Sequence, residues 1–202
     1  MTGHININQI NSNFRYRFDY LSKFLNFTSN DIAMLNKFAI IFLSHIPVIV
    51  DTVYRKLLSF DITKQYFLIR NDSFEDPLTK KSTDLTLESA QMIYRKDMLS
   101  IYLNLLLTQI EWNDTFLQYL SRIEKIHTNK AGSLSINVDY IHIYFLWTIE
   151  NLDNKNKYGV FIALNKLFWI QNDFFSIHYL TSWNEKSNSN DLQVKTTKYC
   201  CF

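Results

Sequence analysis

The sequence predicts an all-α fold, and three observations support that prediction. Glycine and proline are scarce, with 3 and 2 residues among 202, whereas sheet proteins need many tight turns built from these residues. Large rings are abundant, with 16 Phe, 12 Tyr and 4 Trp, so the chain can bury a substantial core. Apolar residues also recur every three or four positions, which is the period of an amphipathic helix.

The N-terminal part contains the expected starts of the first helices. Residues 1–13 are polar and rich in asparagine, so we expect a flexible segment before a short helix over residues 15–25. Thr28 and Asp31 have the spacing of a capping box, which predicts the start of a second helix that stops near His45. The inward stripe of this second helix is Ile32, Leu35, Phe38 and Phe42.

The middle of the chain predicts two further helices separated by a loop. Pro47 suits the first turn of a helix over residues 48–59, because no hydrogen bond is lost there. Residues 71–86 are polar and contain a proline, which predicts a loop, and a long helix over about 88–108 follows. The inward positions are Val50, Tyr54, Leu57 and Leu58 in the first helix and Met98, Tyr102, Leu105 and Leu106 in the second.

The C-terminal part predicts three more helices. The polar residues of "WND" at 112–114 cap the first, Asn137 caps the second, and the third covers about 157–180. Residues 183–202 form a polar tail without periodicity, which we expect to be disordered. The inward positions are Phe116, Leu120, Ile123 and His127, then Val138, His142, Phe145 and Ile149, then Phe161, Leu164, Phe168 and Phe175.

Charge and cysteine content exclude several classes of protein. The net charge is +2 with scattered basic residues, so we expect no nucleic-acid partner. The uncharged stretches are shorter than a membrane span, and the N-terminus lacks the apolar region of a secretory signal. The cysteines, Cys200 and Cys201, are adjacent and cannot staple the fold, which favours a reducing, cytoplasmic location.

Two histidines, His127 and His142, lie on inward stripes, and spacing alone does not choose between them. Either one can be a hydrogen-bonded core histidine without a ligand. His127 ends its helix beside the polar loop "TNKAGS", where the ring can reach a planar cofactor, and Tyr54 offers a polar tip on another helix. A lone histidine does not suit zinc, which needs a cluster of ligands, but haem iron needs only one proximal histidine.

The chain resembles the protoglobin and globin-sensor family, in particular its fungal single-domain members. The similar pieces are "RFDYLSKFLNFTSNDIAML", "IPVIVDTVYRKLLSFDITKQYFLIRN", "YRKDMLSIYL", "FLQYLSRIEKIHT", "INVDYIHI" and "LNKLFWIQNDFF". The resemblance implies a globin-like fold over residues 14–182, with an extra N-terminal helix and seven to eight helices around a haem pocket. Uneven connections between helices are compatible with such a packing.

The resemblance also implies site residues for haem b. His127 matches the proximal iron ligand, Tyr54 the distal tyrosine, and His142 a histidine that is not axial. Tyr94 and Tyr102 are alternative donors on the distal side. The pocket would be lined by Val50, Phe67, Met98, Ile123, Ile141, Phe145 and Ile149. The sequence departs from the family pattern at Glu124, where relatives have glycine, and at Trp147, where small residues are common; both bring bulk to the pocket.

The function expected from this resemblance is reversible binding of a diatomic gas (O2, NO or CO) for gas sensing or oxygen binding, rather than enzymatic catalysis. A homodimer through the last helices and a signalling partner protein are expected. The alternative is a haem-free globin-fold interaction module whose cavity is filled by side chains such as Trp147 and Met98. Haem redox chemistry such as NO detoxification ranks lower, because it needs an electron source. Membrane association is expected only if Cys200 and Cys201 carry lipid.

Overall fold

The structure, a computed structural model, describes residues 5–69, 74–129 and 154–190, without side chains for 126–129, 154–155 and 181–190. Within these ranges it consists of helices and loops and contains no strand, which confirms the predicted all-α fold. The helices are α1 (Ile7–Ser12), α2 (Phe14–Leu25), α3 (Ser29–Phe42), α4 (Ile46–Leu58), α5 (Asp61–Tyr66), α6 (Ala90–Thr108), α7 (Asp114–Asn129) and α8 (Asn154–Asn190), with 3₁₀ turns at Leu43–His45 and Ser82–Asp84.

Local signals in the sequence set several helix starts. The Thr28 backbone N–H donates to the Asp31 carboxylate at 2.7 Å, so the predicted capping box begins α3. Pro47 lies in the first turn of α4, as predicted. Asn113 caps α7 by accepting a 3.0 Å hydrogen bond from the Phe116 backbone N–H. Asn26 ends α2 in the left-handed conformation, with φ of 52°.

α3 and α4 are joined by the 3₁₀ turn into a continuous 30-residue segment, Ser29–Leu58. By length and composition alone this segment could cross a membrane, with a mean hydropathy of 1.8 in its most apolar window. The uncharged stretch within this segment, residues 38–50, was predicted to be too short for a membrane span. Of that window 33% is buried, and Leu35, Phe38 and Ile49 within the segment lie in the core. One segment of this kind is a weak indication of a membrane span, because the core helix of a globular protein passes the same test.

The core lies between α8 and the helices that pack on it. α8 contacts α2, α3 and α7, and α6 packs on α3 and α4. Phe38, Phe42 and Phe174 are fully buried at these contacts. Two ion pairs fasten α8: Lys166 Nζ contacts Asp31 Oδ1 at 2.9 Å, and Arg17 forms a two-pronged bond with the Asp173 carboxylate.

Several predicted boundaries and faces are wrong. Residues 7–12 form α1, a helix that was not predicted, and the Asn6 side chain caps it by accepting from the backbone N–H groups of Asn8 and Gln9. The last helix begins before residue 157 and continues to Asn190, into the segment expected to be disordered. The short helix α5 was not predicted.

The inward faces of α6 and α8 also differ from the prediction. Met98 and Leu105 are exposed, and Leu103 and Leu107 are buried in their place. α6 is apolar around most of its circumference, so its spacing does not single out one face. On α8, Phe161 is exposed although Leu164 and Phe168 are buried as predicted.

Candidate functional site

Tyr54 lies on the buried face of α4, as its spacing predicted. Its ring centre is 5.7 Å from that of Phe67, and Val50, one helical turn earlier, is buried beside it on the same face. The structure thus places three predicted pocket residues in the same part of the core. Burial raises the pKa of Tyr54 to about 12, so the phenol stays protonated and able to donate at neutral pH.

The Tyr54 hydroxyl donates a hydrogen bond to the backbone oxygen of Arg95 on α6, at 3.1 Å. A buried phenol needs such a partner, because an unpaired hydroxyl in the core costs free energy. The acceptor is a backbone carbonyl near the middle of a helix, which already accepts within the helix. The Arg95 oxygen therefore accepts two hydrogen bonds, one from within α6 and one from Tyr54, and it would keep the first if Tyr54 turned to a ligand.

Arg95 is a neighbour of this site that sequence reasoning missed. Its guanidinium carbon lies 5.4 Å from the centre of the Phe67 ring, and its Nη2 donates to the Ile69 backbone oxygen at 2.9 Å. Burial lowers the pKa of Arg95, while the nearby hydroxyls of Tyr54 and Tyr94 oppose that shift. No local signal could have shown it, because the contacts join positions 26 and more residues apart in the chain.

The other tyrosines weighed as distal donors have different surroundings. The Tyr102 hydroxyl accepts a hydrogen bond from the Gln171 side chain on α8. The Tyr94 ring lies 5.4 Å from that of Phe74. Neither of these two contacts involves Val50 or Phe67. Tyr102 packs against the same core cluster, but Tyr54 is the one of the three whose ring contact with Phe67 is described.

Met98 is placed differently from the rest of the predicted pocket. It is exposed on α6, in line with Ile101 and Leu105, which are exposed as well. These three side chains form an apolar stripe along one face of α6. The structure therefore does not bury Met98 beside Tyr54, and the stripe can be covered only by a group outside the described residues.

The proximal side of the predicted site is described in part. The backbone of His127 lies in the last turn of α7, as predicted, and Ile123 is partly buried on the same helix. The His127 side chain lies outside the described residues. So do all predicted site residues between positions 130 and 153, namely His142, Ile141, Phe145, Trp147 and Ile149.

Glu124 is completely buried on α7, three residues before His127. Neither of its carboxylate oxygens has a hydrogen-bond partner among the described residues. Burial, reinforced by the charge of Asp173 on α8, raises the pKa of Glu124 well above its usual range. The same region raises the pKa of Tyr102, through burial first and the Glu124 charge second. The sequence marked Glu124 as unusual but could not show that it is buried.

Metal-binding clusters other than a haem site have no support in the described part of the chain. No group of three or more His, Cys, Asp or Glu side chains is close enough there to hold an ion. The side chains that could serve a cofactor are instead spread over three helices: a phenol on α4, a guanidinium on α6 and a carboxyl beside a histidine position on α7.

Comparison with known proteins identifies the family. No curated protein matches the chain. The family model described as Protoglobin matches residues 14–185, from the first residue of α2 into the second half of α8. The match includes α4 with Tyr54 and α7 with the His127 position. With all-α architecture and a match over most of its length, the chain belongs to the protoglobin family.

Proposed function

We propose that this protein binds haem b through His127 and reversibly binds a diatomic gas, with O2 as the leading candidate and NO and CO as alternatives. Membership of the protoglobin family gives a globin-type domain for haem and gas. The observation that supports the proposal most directly is the buried, protonated phenol of Tyr54 beside Val50 and Phe67. Such a phenol is a hydrogen-bond donor in an apolar surrounding, which suits a small polarised ligand.

The residues fit a haem better than another metal centre. Haem iron needs one protein ligand, and the described residues contain no cluster of the kind that other metal ions need. Glu124, three residues from the proposed ligand, is a buried carboxyl without a hydrogen-bond partner among the described residues. Metal-ligating histidines commonly donate their second ring N–H to a carboxylate or carbonyl, so an orphaned buried carboxyl at this point agrees with a ligating His127.

In this proposal the protein residues bind, orient and shield. Haem, when bound, supplies the iron at which the gas is held. His127 would hold the group from the end of α7, and the apolar stripe of α6 with Met98 would offer it an apolar surface. Tyr54 would donate to the gas instead of the Arg95 oxygen, exchanging its present hydrogen bond for one to a more negatively charged acceptor. A donor at that point slows the departure of O2.

An absorption spectrum of the purified, haem-reconstituted protein tests this proposal. We expect an intense Soret band that shifts when CO is added. His127→Ala should lose haem on a desalting column or require added imidazole to keep it, whereas His142→Ala should keep the wild-type spectrum. If His142→Ala loses the haem and His127→Ala keeps a normal spectrum, the two histidines have been assigned the wrong way round.

The second candidate function is a haem-free interaction module with the globin fold. It is favoured by one observation: Tyr54 already has a hydrogen-bond partner inside the protein, so the fold does not need a ligand to satisfy it. The spectrum distinguishes the two. A chain that stays helical by circular dichroism and gives no Soret band after reconstitution would be the haem-free module.

We also propose that the protein forms a homodimer through its C-terminal helices, in which a second copy covers part of α8. Tyr158, Ile162 and Trp169 are exposed on α8, and Trp169 is 64% exposed. Large exposed aromatic side chains on one helix commonly mark an interface. Light scattering during gel filtration should give twice the chain mass for wild type and a lower mass for Trp169→Glu. If Trp169→Glu has the same mass as the wild-type dimer, Trp169 does not contribute to the interface.

A further inference from the structure

Arg95 on α6 carries a positive charge that no acid among the described residues balances. Its guanidinium takes part in no ion pair within the described ranges, and its Nε atom is buried without a hydrogen-bond partner. The next residue, Lys96, differs, because its Nζ lies 3.1 Å from Asp51 Oδ1 on α4. A cation that is partly withdrawn from water without a neighbouring acid is costly, so its position calls for a reason.

The guanidinium of Arg95 is held in place by two contacts with the chain that follows α5. Its Nη2 donates to the Ile69 backbone oxygen at 2.9 Å. Its central carbon lies 5.4 Å from the centre of the Phe67 ring. The planar guanidinium has fixed donor directions, and these contacts restrain it on both sides. Arg95 is therefore a charge at a defined position rather than a mobile surface charge.

Tyr54 is close enough to Arg95 to feel this charge. The Phe67 ring that contacts the guanidinium also contacts the Tyr54 ring, with centres 5.7 Å apart, and the Arg95 backbone oxygen accepts from the Tyr54 hydroxyl. Burial raises the pKa of Tyr54 to about 12, and the charge of Arg95 acts in the opposite direction by favouring negative charge on the phenol oxygen. The positive potential of Arg95 thus extends to the hydroxyl that we propose as the donor to a bound gas.

We propose that Arg95 is a specificity-determining residue that makes the site beside Tyr54 prefer small monovalent anions over neutral ligands of similar size. The inference rests on the proposed haem function and names a further ligand class for the same site. A positive potential stabilises a bound anion most, bound O2 less because its negative charge is partial, and CO least. The preference is therefore largest for an anion.

The test compares the haem-loaded full chain of wild type with two neutral variants, Arg95→Met and Arg95→Gln. Gln can still donate to the Ile69 oxygen, so it reports even if the Met variant folds poorly. Arg95→Lys keeps the charge and loses the planar group. Lys96→Met is the matched control, because it removes a neighbouring cation whose charge is balanced by Asp51.

Three quantities are measured at constant ionic strength, which keeps screening equal among the variants. They are the dissociation constant of azide for the ferric protein, the dissociation constant of CO for the ferrous protein, and the C–O stretching frequency of the CO form by infrared spectroscopy. The stretching frequency reports the local potential without depending on affinity. A positive potential beside the CO oxygen lowers it, because electron density moves from the iron into the C–O antibonding orbital.

We expect both neutral variants to bind azide about fivefold more weakly than wild type, since the guanidinium is partly exposed and solvent screens it. Their C–O stretching frequency should rise, and their CO affinity should change less than their azide affinity. Arg95→Lys and Lys96→Met should bind azide as wild type does.

Two results would overturn the role of Arg95 while the Soret band of wild type stays intact. One is equal azide affinity in wild type and both neutral variants. The other is a loss in Arg95→Lys as large as that in the neutral variants, which would assign the effect to the contact with Phe67 rather than to the charge. Absence of a Soret band from reconstituted wild type would instead overturn the proposed function.

Discussion

The Tyr54 hydroxyl on α4 and the backbone oxygen of Arg95 on α6 are joined by a 3.1 Å hydrogen bond between positions 41 residues apart. This bond fixes the orientation of a buried phenol beside Phe67. A gas bound beside Tyr54 would have to compete with this backbone carbonyl for the proton of the hydroxyl, so the existing bond reduces the net free energy that Tyr54 can give to gas binding.

Replacing Tyr54 with Phe should leave haem content unchanged and weaken the retention of O2. The change removes one donor and almost no volume, so the loss is about 1 kcal/mol or slightly more, equivalent to a several- to tenfold faster O2 dissociation rate. Stopped-flow measurement of O2 and CO dissociation checks this. CO is less polarised, so its rate should change less; equal O2 rates in the two proteins would exclude Tyr54 as the distal donor.

Tyr54 should also make the protein sensitive to alkaline pH. An unfolded chain releases the phenol proton near the ordinary pKa of 10.0, whereas the folded protein releases that of Tyr54 only at about 12. The contribution of the buried phenol to the free energy of unfolding is therefore fully present below pH 10. It is lost as the pH rises to about 12, a decline of up to about 2–3 kcal/mol. Urea unfolding between pH 9 and 12 should show a smaller decline for Tyr54→Phe than for wild type. Parallel curves for the two proteins would contradict the burial of this phenol.

The ion pair between Lys166 and Asp31 should contribute measurably to stability. Lys166 Nζ contacts both carboxylate oxygens of Asp31 and donates to the Asn26 backbone oxygen at 2.7 Å, and the Asp31 side chain is only 7% exposed. Lys166→Met keeps the length of the side chain but leaves the buried Asp31 carboxylate without its counter-charge, with only the hydrogen bonds from Thr28 remaining, so we expect a loss of about 2–3 kcal/mol. Lys37→Met on the exposed face of α3 is the control and should change the unfolding free energy by less than about 0.5 kcal/mol.

Gly159 on α8 lies against the Met34 side chain of α3. A Cβ added there would lie 3.1 Å from the sulfur of Met34, which is near the flexible end of its side chain. We expect Gly159→Ala to stabilise the protein by up to about 1 kcal/mol, because alanine favours the helix and Met34 can move aside. Gly159→Leu should destabilise it, and Met34→Ala should restore part of that loss. Thermal unfolding of the four proteins measures this; a destabilising Ala variant would mean that Met34 cannot move.

The adjacent cysteines, Cys200 and Cys201, lie outside the described residues and give a prediction from sequence alone. In a reducing compartment, adjacent cysteines ordinarily remain free thiols. We expect the wild type and the double variant Cys200→Ser/Cys201→Ser to distribute identically between soluble and membrane fractions of the cell. A shift of the wild type alone to the membrane fraction would establish a lipid anchor.

The helix starts that were predicted from short-range signals in the sequence agree with the structure. The capping box of Thr28 with Asp31, and Pro47 in the first turn of α4, act within one turn of helix, so their physics is contained in neighbouring residues. The face of α4 that carries Tyr54 was predicted for a similar reason: polar residues such as Asp51 and Arg55 leave its apolar stripe unambiguous.

Features that depend on distant contacts could not be predicted in this way. α6 is apolar on several sides, and only packing against α3 and α4 decides that Leu103 and Leu107 are buried and Met98 exposed. The contact of Arg95 with Phe67 and the burial of Glu124 likewise arise from tertiary packing. A charged residue on a helix is ordinarily assumed to face solvent, and only the structure shows that Glu124 is fully buried and Arg95 partly buried.

Helix α8 is 37 residues long, so a small rotation at one point displaces its far end by a larger distance. At 1.5 Å per residue the helix is about 55 Å long, whereas a small domain is about 30 Å across. Gln171, which bonds Tyr102 across from Glu124, lies about 28 Å from the end of the helix at Asn190. A tilt of about 5° at Gln171 would move that end by roughly 2 Å. Small displacements beside α7 are thus amplified mechanically at a distant point of the chain.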